Sequence, residues 1–302
     1  MLYLALSALC GLLLDRWLGE PRRWHPLVGF GHLANFGERL LRSGAPGHPL
    51  GNRVRGSVAW AIVVLPFVLL AFWLAHPAVD ALLLWFALGG KSLGDHARAI
   101  AMPLAAGDLP TARHAVGMIV SRDTTQLDEA GVATAAVESV LENGNDAVLG
   151  ALFWFFLFGG SGALLFRLAN TLDAMWGYKD ARRIYFGWAA ARIDDLLNLV
   201  PSRLTALTYA ALGRSVLALA CWRAQAGAWS SPNAGPAMAA GAGALGVTLG
   251  GSAIYHGQIE HRAKLGAGRT ATAADIHRAM VLVERGQWLW LTLFACGSLA
   301  LA

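Results

Sequence analysis

The sequence predicts an all-α, polytopic membrane protein. Only 14% of its residues are charged, whereas soluble domains carry about 25%, and its mean hydropathy is +0.48. Residues 56–75 contain no charge, and twenty apolar residues are the length of helix that crosses about 30 Å of hydrocarbon. A second uncharged run covers residues 147–166. We therefore expect a multi-pass protein of the cell (inner) membrane, with residues 1–302 forming a single integral membrane domain.

Apolar and polar segments alternate along the chain. The apolar segments lie near residues 1–14, 56–75, 78–95, 147–167, 203–222 and 286–302, and the polar ones are 15–55, 96–146, 168–202 and 223–285. Gly159, Gly160 and Gly162 interrupt the fourth apolar segment. A re-entrant hairpin of two half-helices would tolerate such a break where protein covers it. We expect about five transmembrane helices, this hairpin, and helical loops in the cytoplasm.

The charges exclude some functions. Residues 15–55 carry seven Arg against three acidic residues, the bias typical of cytoplasmic loops. The Arg residues lie between apolar runs rather than in one dense patch, so nucleic-acid binding is not indicated. Cys10, Cys221 and Cys296 are far apart in apolar stretches, which excludes a disulfide framework and a cysteine metal motif.

Three carboxylates, Glu138, Glu142 and Asp146, follow one another at intervals of four residues just before the uncharged run at 147–166. Residues at this spacing share a helix face, where like charges repel. Either a divalent cation or arginines from another segment would relieve the repulsion. Mg²⁺ suits such oxygen ligands and usually binds one or two carboxylates together with substrate phosphates. A solvated acidic helix face is the simpler alternative.

Further polar residues flank these carboxylates. Arg122 and Asp123 precede them, and Asp is also a common helix cap. The stretch from residue 167 to 204 is dense in basic, acidic and amide side chains, a composition typical of a site for a phosphorylated ligand and its metal. Each residue alone is also explained by a loop ion pair. The set comprises Asn170, Asp173, Lys179, Arg182, Arg183, Arg192, Asp194, Asp195, Asn198 and Arg203.

Two other segments, residues 15–31 and 230–251, contain predicted turns with polar residues. Residues 15–31 form a Pro- and Gly-containing polar cluster that would either reach a ligand or anchor the first helix. Residues 230–251 begin with a predicted turn at Asn233 that would hold a polar ligand or be an ordinary turn. They also contain G-x-G-x-x-G, but neither a preceding strand nor a β-α alternation supports a dinucleotide site. Small residues there allow close helix packing instead.

The motifs taken together resemble the adenosylcobinamide-phosphate synthase family of cobalamin biosynthesis (CbiB/CobD-type membrane proteins). The resemblance covers nearly the whole chain and rests on LDRWLGEPRRWHPLVGFG, SRDTTQLDEAGVATAAVESVLENGNDAVLGALFW, NTLDAMWGYKDARRIYFGWAAARIDDLLNLVPSRLTA and SPNAGPAMAAGAGALGVTLGG. Two departures are Glu20, where relatives commonly have Asp, and Asn145, where they tend to have Ser.

The resemblance implies a ligase that uses ATP and Mg²⁺. It would join a propionate carboxylate of adenosylcobyric acid to the amine of aminopropanol phosphate, or of aminopropanol, through an acyl phosphate. Metal and cationic side chains would neutralise the phosphates. The active site would face the cytoplasm.

The residues receive roles on this basis. The candidate Mg²⁺ ligands are Glu138, Glu142 and Asp146, with Asp173 and Asp194 as second choices. The candidate phosphate or substrate contacts are Arg122, Asp123, Lys179, Arg182, Arg192, Asp194, Asp195, Arg203 and Asn233. The residues that would orient the carboxylate or amine are Asn143, Asn170 and Asn233.

Other functions remain open at this point. A non-catalytic membrane scaffold or sensor of the same family would bind without ATP turnover, and a transporter would need charges within its spans. The expected partners are the corrinoid, the amine, ATP and the lipid bilayer. A homo-oligomer or contact with other corrinoid-pathway enzymes is left open.

Overall fold

The computed structural model describes residues 2–21, 25–42, 49–178, 183–255 and 257–301. Its described part is mostly helical. The elements are α1 (Leu2–Leu18), α2 (Pro26–Leu41), α3 (Pro49–Trp73), α4 (Pro77–Ala87), α5 (Gly90–Ala105), α6 (Leu109–Gly117), α7 (Glu129–Gly144), a π-helical turn (Asn145–Leu149), α8 (Gly150–Trp176), α9 (Trp188–Leu212), α10 (Ser215–Gln225), a 3₁₀ turn (Ala226–Ala228), α11 (Ala234–Leu245), β1 (Val247–Tyr255), β2 (Gln258–Gly266), β3 (Arg269–Thr270) and α12 (Ala273–Ala300).

The chain divides into two compact units. The first comprises Met1–Gly89, Gly150–Asn198 and Leu291–Ala302, and the second comprises Gly90–Leu149 and Leu199–Trp290. In the first unit, α4 packs on α1 and α8, and α3 packs on α2 and α8. In the second unit, α7 packs on α5, α6, α11 and β1.

Two described helical segments are long and apolar enough to cross a membrane, Pro49–Trp73 and Glu129–Trp176. On α3, large apolar side chains such as Ile62, Leu69 and Phe72 are exposed, as expected of a helix that contacts lipid. These segments support a membrane location, but they do not confirm a count of about five spans.

Two expected spans are divided. The segment 78–95 splits into α4 and α5, and α4 has 11 residues, about 16 Å at 1.5 Å per residue. The segment 203–222 is interrupted between α9 and α10 at Gly213, where an added Cβ would stand 2.5 Å from the Cβ of Ala244. Neither segment is the single spanning helix that its hydropathy predicts, because hydropathy does not register a break between two short helices.

The glycine cluster after Phe158 does interrupt α8. Gly159 has φ 64°, a conformation that glycine adopts readily. An added Cβ on Gly162 would lie 2.2 Å from the carbonyl oxygen of Trp154, although residues eight apart in a straight helix are separated by about 12 Å. The chain therefore turns back as two half-helices. The backbone N–H of Gly160 donates to the buried carboxylate of Asp80 at 2.8 Å. The break between two half-helices is therefore present at the predicted glycines, and a re-entrant hairpin in a membrane stays a prediction.

A three-stranded sheet corrects the all-α expectation. β1 pairs with β2 in antiparallel register and with β3 in parallel register, with a bulge between Gly250 and Ser252. Gly246, Gly250 and Gly251 all have positive φ, which permits the tight path here. The glycine content of residues 246–251 concealed the strand in the sequence, because Gly is depleted in strands.

The Ala/Gly tract forms α11, and every residue of this helix is buried. The close helix packing that the small residues of 234–245 predict is therefore confirmed. An added Cβ on Gly241 would stand 2.6 Å from a methyl carbon of Leu141, so this glycine permits the close approach of α7. Gly246 ends the helix in the left-handed conformation. The glycine pattern is thus a packing and capping feature.

Candidate functional site

A cavity of about 600 Å³ lies within the second unit. Polar side chains of α7 form one wall, the β1–β2 hairpin forms another, and the segments before α7 and before α11 complete it. Its volume falls in the range of small-molecule sites. The side chains used below are Arg122, Glu138, Ser139, Glu142, Asn143, Trp229, Ser231, Tyr255, Glu260, His261 and Arg262.

Glu138 is the most heavily bonded carboxylate of this cavity. Its Oε1 accepts the backbone N–H of Gly250 at 2.7 Å. Its Oε2 accepts Nη1 of Arg262 at 3.1 Å and a hydrogen bond from Arg122. Glu138 is only 2% exposed, so the two arginines compensate a charge that burial alone would make very costly. The sequence predicted that either a divalent cation or arginines would relieve the repulsion between the carboxylates, and the structure shows arginines at Glu138.

The two arginines are themselves held in place. The Arg262 guanidinium lies 5.2 Å from the centroid of the Trp229 ring, a stabilising cation–π distance. Its Nε donates to the carbonyl of Gly251 at 3.1 Å. Arg122 precedes Asp123, whose N–H donates to the carbonyl of Ile254 at 2.8 Å. The segment before α7 is therefore fixed to β1.

Asp123 serves this segment as a turn cap. Its Oδ1 accepts the N–H and the hydroxyl of Thr125, at 2.9 and 2.8 Å. These hydrogen bonds lower the pKa of Asp123. The capping role noted for Asp in the sequence is thus observed, and Asp123 is absent from the cavity lining.

Glu142, one helical turn after Glu138, is in a different situation. It lines the cavity and interacts electrostatically with Glu138, Arg122 and Arg262. No described residue hydrogen-bonds to its carboxylate or forms an ion pair with it. The neighbouring Asn143 donates its amide N–H groups to the carbonyl and hydroxyl of Ser139, at 2.9 and 3.2 Å.

The third carboxylate does not extend the cavity wall. Asp146 lies in the π-helical turn after α7 and accepts a hydrogen bond from Asn145 at 2.8 Å. The same Asn145 accepts the hydroxyl of Thr205 at 2.9 Å. Asp146 is not among the residues that line the cavity.

Asn233 is held in a polar cluster at the start of α11. Its Oδ1 accepts Nη1 of Arg203 at 2.7 Å and the hydroxyl of Ser202 at 3.3 Å. Ser202 and Asn233 are buried, and Arg203 is partly exposed. The sequence placed Arg203 and Asn233 among substrate contacts, and the structure brings them together. It also shows the predicted turn at 231–233.

The remaining candidates form a second polar cluster in the first unit. Asp194 accepts Nδ2 of Asn198 at 3.2 Å and Nδ2 of Asn170 at 3.5 Å. Asp195 pairs with Arg192 at 2.8 Å. Asp173 interacts electrostatically with this pair. Lys179 and Arg182, two predicted phosphate contacts, lie outside the described residues.

The polar cluster at residues 15–31 anchors the first helices. Glu20 pairs with Arg167 at 2.8 Å, and the His25 ring accepts the N–H of Leu27 as the cap of α2. These contacts correspond to the anchoring alternative that the sequence left open.

The carboxylates do not build a metal cage by themselves. Among the described residues, no group of three His, Cys, Asp or Glu side chains could hold an ion. Glu138 is bonded to the arginines, which leaves Glu142 and Glu260 as the other carboxylates of the cavity lining. A Mg²⁺ ion here would take most of its ligands from substrate phosphates and water, a mode that Mg²⁺ commonly uses.

Sequence reasoning missed Trp229, Tyr255, His261 and Arg262, which line the cavity. The signal for the last two was the alternation of residues in QIEHRAKL, which is typical of a strand. Trp229 gave no comparable signal, because a tryptophan next to an Ala/Gly tract is equally typical of a membrane interface.

The fold and this charged cavity define a helical protein with membrane-compatible segments and a small-molecule site. Comparison with known proteins gives the family: the family model described as "CobD/Cbib protein" matches residues 8–283. The chain belongs to this family, which confirms the resemblance seen in its motifs.

Curated relatives carry the same family name. A "Cobalamin biosynthesis protein CobD" of Chromobacterium violaceum is 59% identical over 93% of each chain. A protein of that name from Stutzerimonas stutzeri is 56% identical over 97% of each chain. Another, from Mycobacterium tuberculosis, is 39% identical over 92% of this chain and 90% of its own. No solved structure matches this chain.

Proposed function

We propose that this protein acts in cobalamin biosynthesis as an ATP-dependent amide ligase. It joins aminopropanol phosphate, or aminopropanol, to a propionate carboxylate of adenosylcobyric acid. The product is adenosylcobinamide phosphate or its unphosphorylated counterpart. The family membership and the names of the relatives support the pathway. The single structural observation that supports a catalytic role is the cavity that combines a fixed pair of arginines with Glu142, a carboxylate to which no described residue is hydrogen-bonded.

The chemistry requires activation of the carboxylate. A carboxylate and an amine do not condense in water, so ATP first phosphorylates the propionate to an acyl phosphate. The amine nitrogen then attacks the carbonyl carbon, the C–N bond forms, and the bond from that carbon to the phosphate oxygen breaks. Charge develops on oxygen atoms in both steps, and fixed cationic groups in a site shielded from water stabilise it.

The residues divide into two groups under this proposal. In the second unit, Arg122 and Arg262 are fixed cations beside Glu138, and Glu142 faces the ligand. In the first unit, Arg192 and the acidic and amide residues around Asp194 are suited to a phosphate with its cation. Carboxylates of these groups, such as Glu142 or Asp194, would contribute to holding a Mg²⁺ ion that binds together with ATP, and the ion would compensate the charge of the phosphates.

The test uses the full chain purified in detergent with Mg²⁺, ATP, adenosylcobyric acid and either amine. We expect ADP release that requires both the corrinoid and the amine, together with a corrinoid whose mass has increased by that of the amide. If the protein binds the corrinoid but releases no ADP with any amine, the ligase proposal fails and a non-catalytic scaffold becomes the better account.

A further inference from the structure

The cavity of the second unit is lined by five large apolar or aromatic side chains that the proposed chemistry does not use. They are Ile119 and Val120 after α6, Trp229 before α11, Met238 on α11 and Tyr255 at the end of β1. Met238 is buried, and the other four are half-buried. We call these five residues the apolar lining. They come from three separate stretches of the chain, so the fold brings them to one cavity.

A charged group alone does not account for this cavity. Glu138 already accepts hydrogen bonds from Arg122 and Arg262. A phosphate, carboxylate or ammonium group would interact with the remaining polar side chains and leave the apolar lining facing water or a void. Apolar surface is stabilised only when it is removed from water, and a void forfeits dispersion contacts. A ligand that fills the cavity therefore carries an uncharged apolar part as well as polar groups.

The two aromatic residues favour a planar ring for this uncharged part. The Arg262 guanidinium lies 5.2 Å from the centroid of the Trp229 ring, so a planar group already lies against an aromatic face in this cavity. Neither the indole N–H of Trp229 nor the hydroxyl of Tyr255 is hydrogen-bonded to a described residue. A heteroaromatic ligand would use both the faces and the polar edges of these side chains.

The volume narrows the choice among the groups of the proposed substrates. About 600 Å³ lies in the range that holds a drug-sized molecule. Aminopropanol and its phosphate are much smaller and contain no ring, whereas the corrin macrocycle with its amide side chains is much larger. The uncharged heteroaromatic group of suitable size is adenosine. It occurs in ATP and, as the adenosyl group, in adenosylcobyric acid.

We infer that this cavity binds an adenosine group, with its base against the apolar lining. The rings of Tyr255 and Trp229 contact the base, and the ribose hydroxyls donate to oxygen atoms of the polar lining. The inference rests on the proposed ligase function for the two sources of adenosine, the nucleotide and the corrinoid. It adds a recognition role for the apolar lining, which is separate from the charge compensation by the arginines.

Equilibrium dialysis of labelled adenosine against the full chain in detergent tests the inference. We expect saturable binding that ribose 5-phosphate, which lacks the base, does not displace. Tyr255→Leu keeps an apolar side chain but removes the ring, and it should weaken adenosine binding by about fivefold or more, the effect of one lost stacking contact. Val120→Trp fills part of the cavity and should weaken the binding by about the same factor or more.

Tyr3→Leu is the matched control. Tyr3 is exposed on α1 in the first unit and does not line the cavity, so this variant should bind adenosine like the unaltered protein. Size-exclusion chromatography shows whether each variant elutes as a monodisperse species before its affinity is compared. If one cavity variant does not fold, the other still decides.

Two competitors distinguish the sources of the adenosine group. Displacement of labelled adenosine by a non-hydrolysable ATP analogue assigns the cavity to the nucleotide. Displacement by adenosylcobyric acid, but not by its cyano form, which lacks the adenosyl group, assigns it to the corrinoid. Either result supports the inference.

Other results would overturn the inference. These are an absence of saturable adenosine binding, equal displacement by ribose 5-phosphate, unchanged affinity in a folded cavity variant, or displacement by neither competitor. Equal displacement by the two corrinoid forms without displacement by the ATP analogue would assign the cavity to the corrin and also contradict it. Failure of the ligase function is measured separately, because a protein that binds adenosine here but forms no amide would retain this site and lose the ligase proposal.

Discussion

Two polar clusters, one in each unit, hold their carboxylates in different ways. Glu138 in the second unit is bonded by Arg122, by Arg262 and by the backbone of Gly250, so its partners come from segments more than a hundred residues apart in sequence. Asp195 in the first unit pairs with Arg192, three residues earlier on the same helix. The first arrangement exists only in the folded protein, whereas the second is available to an isolated helix.

This difference has an energetic consequence. Glu138 and both of its arginines are largely shielded from water, with side-chain exposures of 3%, 9% and 13%. Arg192 is 55% exposed. Ion pairs at exposed positions contribute about 0–1 kcal/mol, while the removal of one member of a buried set leaves charges without partners. The contacts of Glu138 therefore join fold stability to the site, and the pair of Arg192 with Asp195 does not.

The largest expected effect is that of Glu138→Ala. It leaves two shielded guanidinium groups without their carboxylate, so we expect the free energy of unfolding to fall by about 3–5 kcal/mol. Denaturant unfolding in detergent measures it. Asp195→Ala is the comparison variant and should cost less than about 1 kcal/mol. Equal losses for the two variants would remove the distinction between the clusters.

A smaller effect on stability is expected from substitutions at the bulge of β1, where the N–H of Gly250 donates to Glu138. An added Cβ on Gly250 would lie 2.0 Å from the carbonyl oxygen of Ala263, whereas Gly251 has open space. Both glycines have positive φ, so Gly250→Ala and Gly251→Ala share the backbone strain. We expect Gly250→Ala to be less stable than Gly251→Ala by about 1–3 kcal/mol, the usual cost of overpacking.

The same pair of variants reports on the cavity. Displacement of Gly250 withdraws the N–H that donates to Glu138, so the rate of amide formation should fall in Gly250→Ala and remain near normal in Gly251→Ala. If both variants have equal stability and equal activity, the hairpin does not position the site.

The comparison also shows what the sequence could and could not predict. Helical spacing correctly placed Glu138 and Glu142 on one face, and motif content identified the family. Asp146, the third residue at this spacing, does not line the cavity. Helical spacing also could not find Arg262, whose contact with Glu138 depends on a hairpin hidden by glycines. Local patterns thus predict neighbours along a helix, while partners across the fold require tertiary structure.

Asp275 is another carboxylate that is bonded to arginines, and its contribution to stability is expected to depend on pH. Burial raises its pKa, but hydrogen bonds from Arg269, Thr272 and Arg278 outweigh this and lower it to about 2. Since the folded pKa lies below the unfolded value of 3.8, its stabilising contribution is present above pH 3.8 and is lost as the pH falls towards 2.

The measurement is the free energy of unfolding of the unaltered protein and of Asp275→Asn between pH 5 and pH 2. The unaltered protein should lose more stability over this interval than Asp275→Asn. Parallel curves would show that the hydrogen bonds of Asp275 do not depend on its charge.

The smallest effect on stability is expected from Arg192→Ala. Its pair with Asp195 is exposed, so the free energy of unfolding should change by less than about 1 kcal/mol. Loss of its predicted contact with phosphate should nevertheless raise KM for ATP by about tenfold, because one charge-assisted hydrogen bond is removed. Steady-state kinetics at varied ATP tests this, and an unchanged KM would remove Arg192 from the phosphate contacts.

The most direct test of the ligase account follows the oxygen atoms of the propionate. Adenosylcobyric acid labelled with ¹⁸O in its reacting carboxylate is turned over with ATP and aminopropanol phosphate, and the released inorganic phosphate is analysed by mass spectrometry. Because the amine displaces phosphate from an acyl phosphate, the account predicts one ¹⁸O atom in each phosphate released. Unlabelled phosphate alongside a labelled amide product would contradict it.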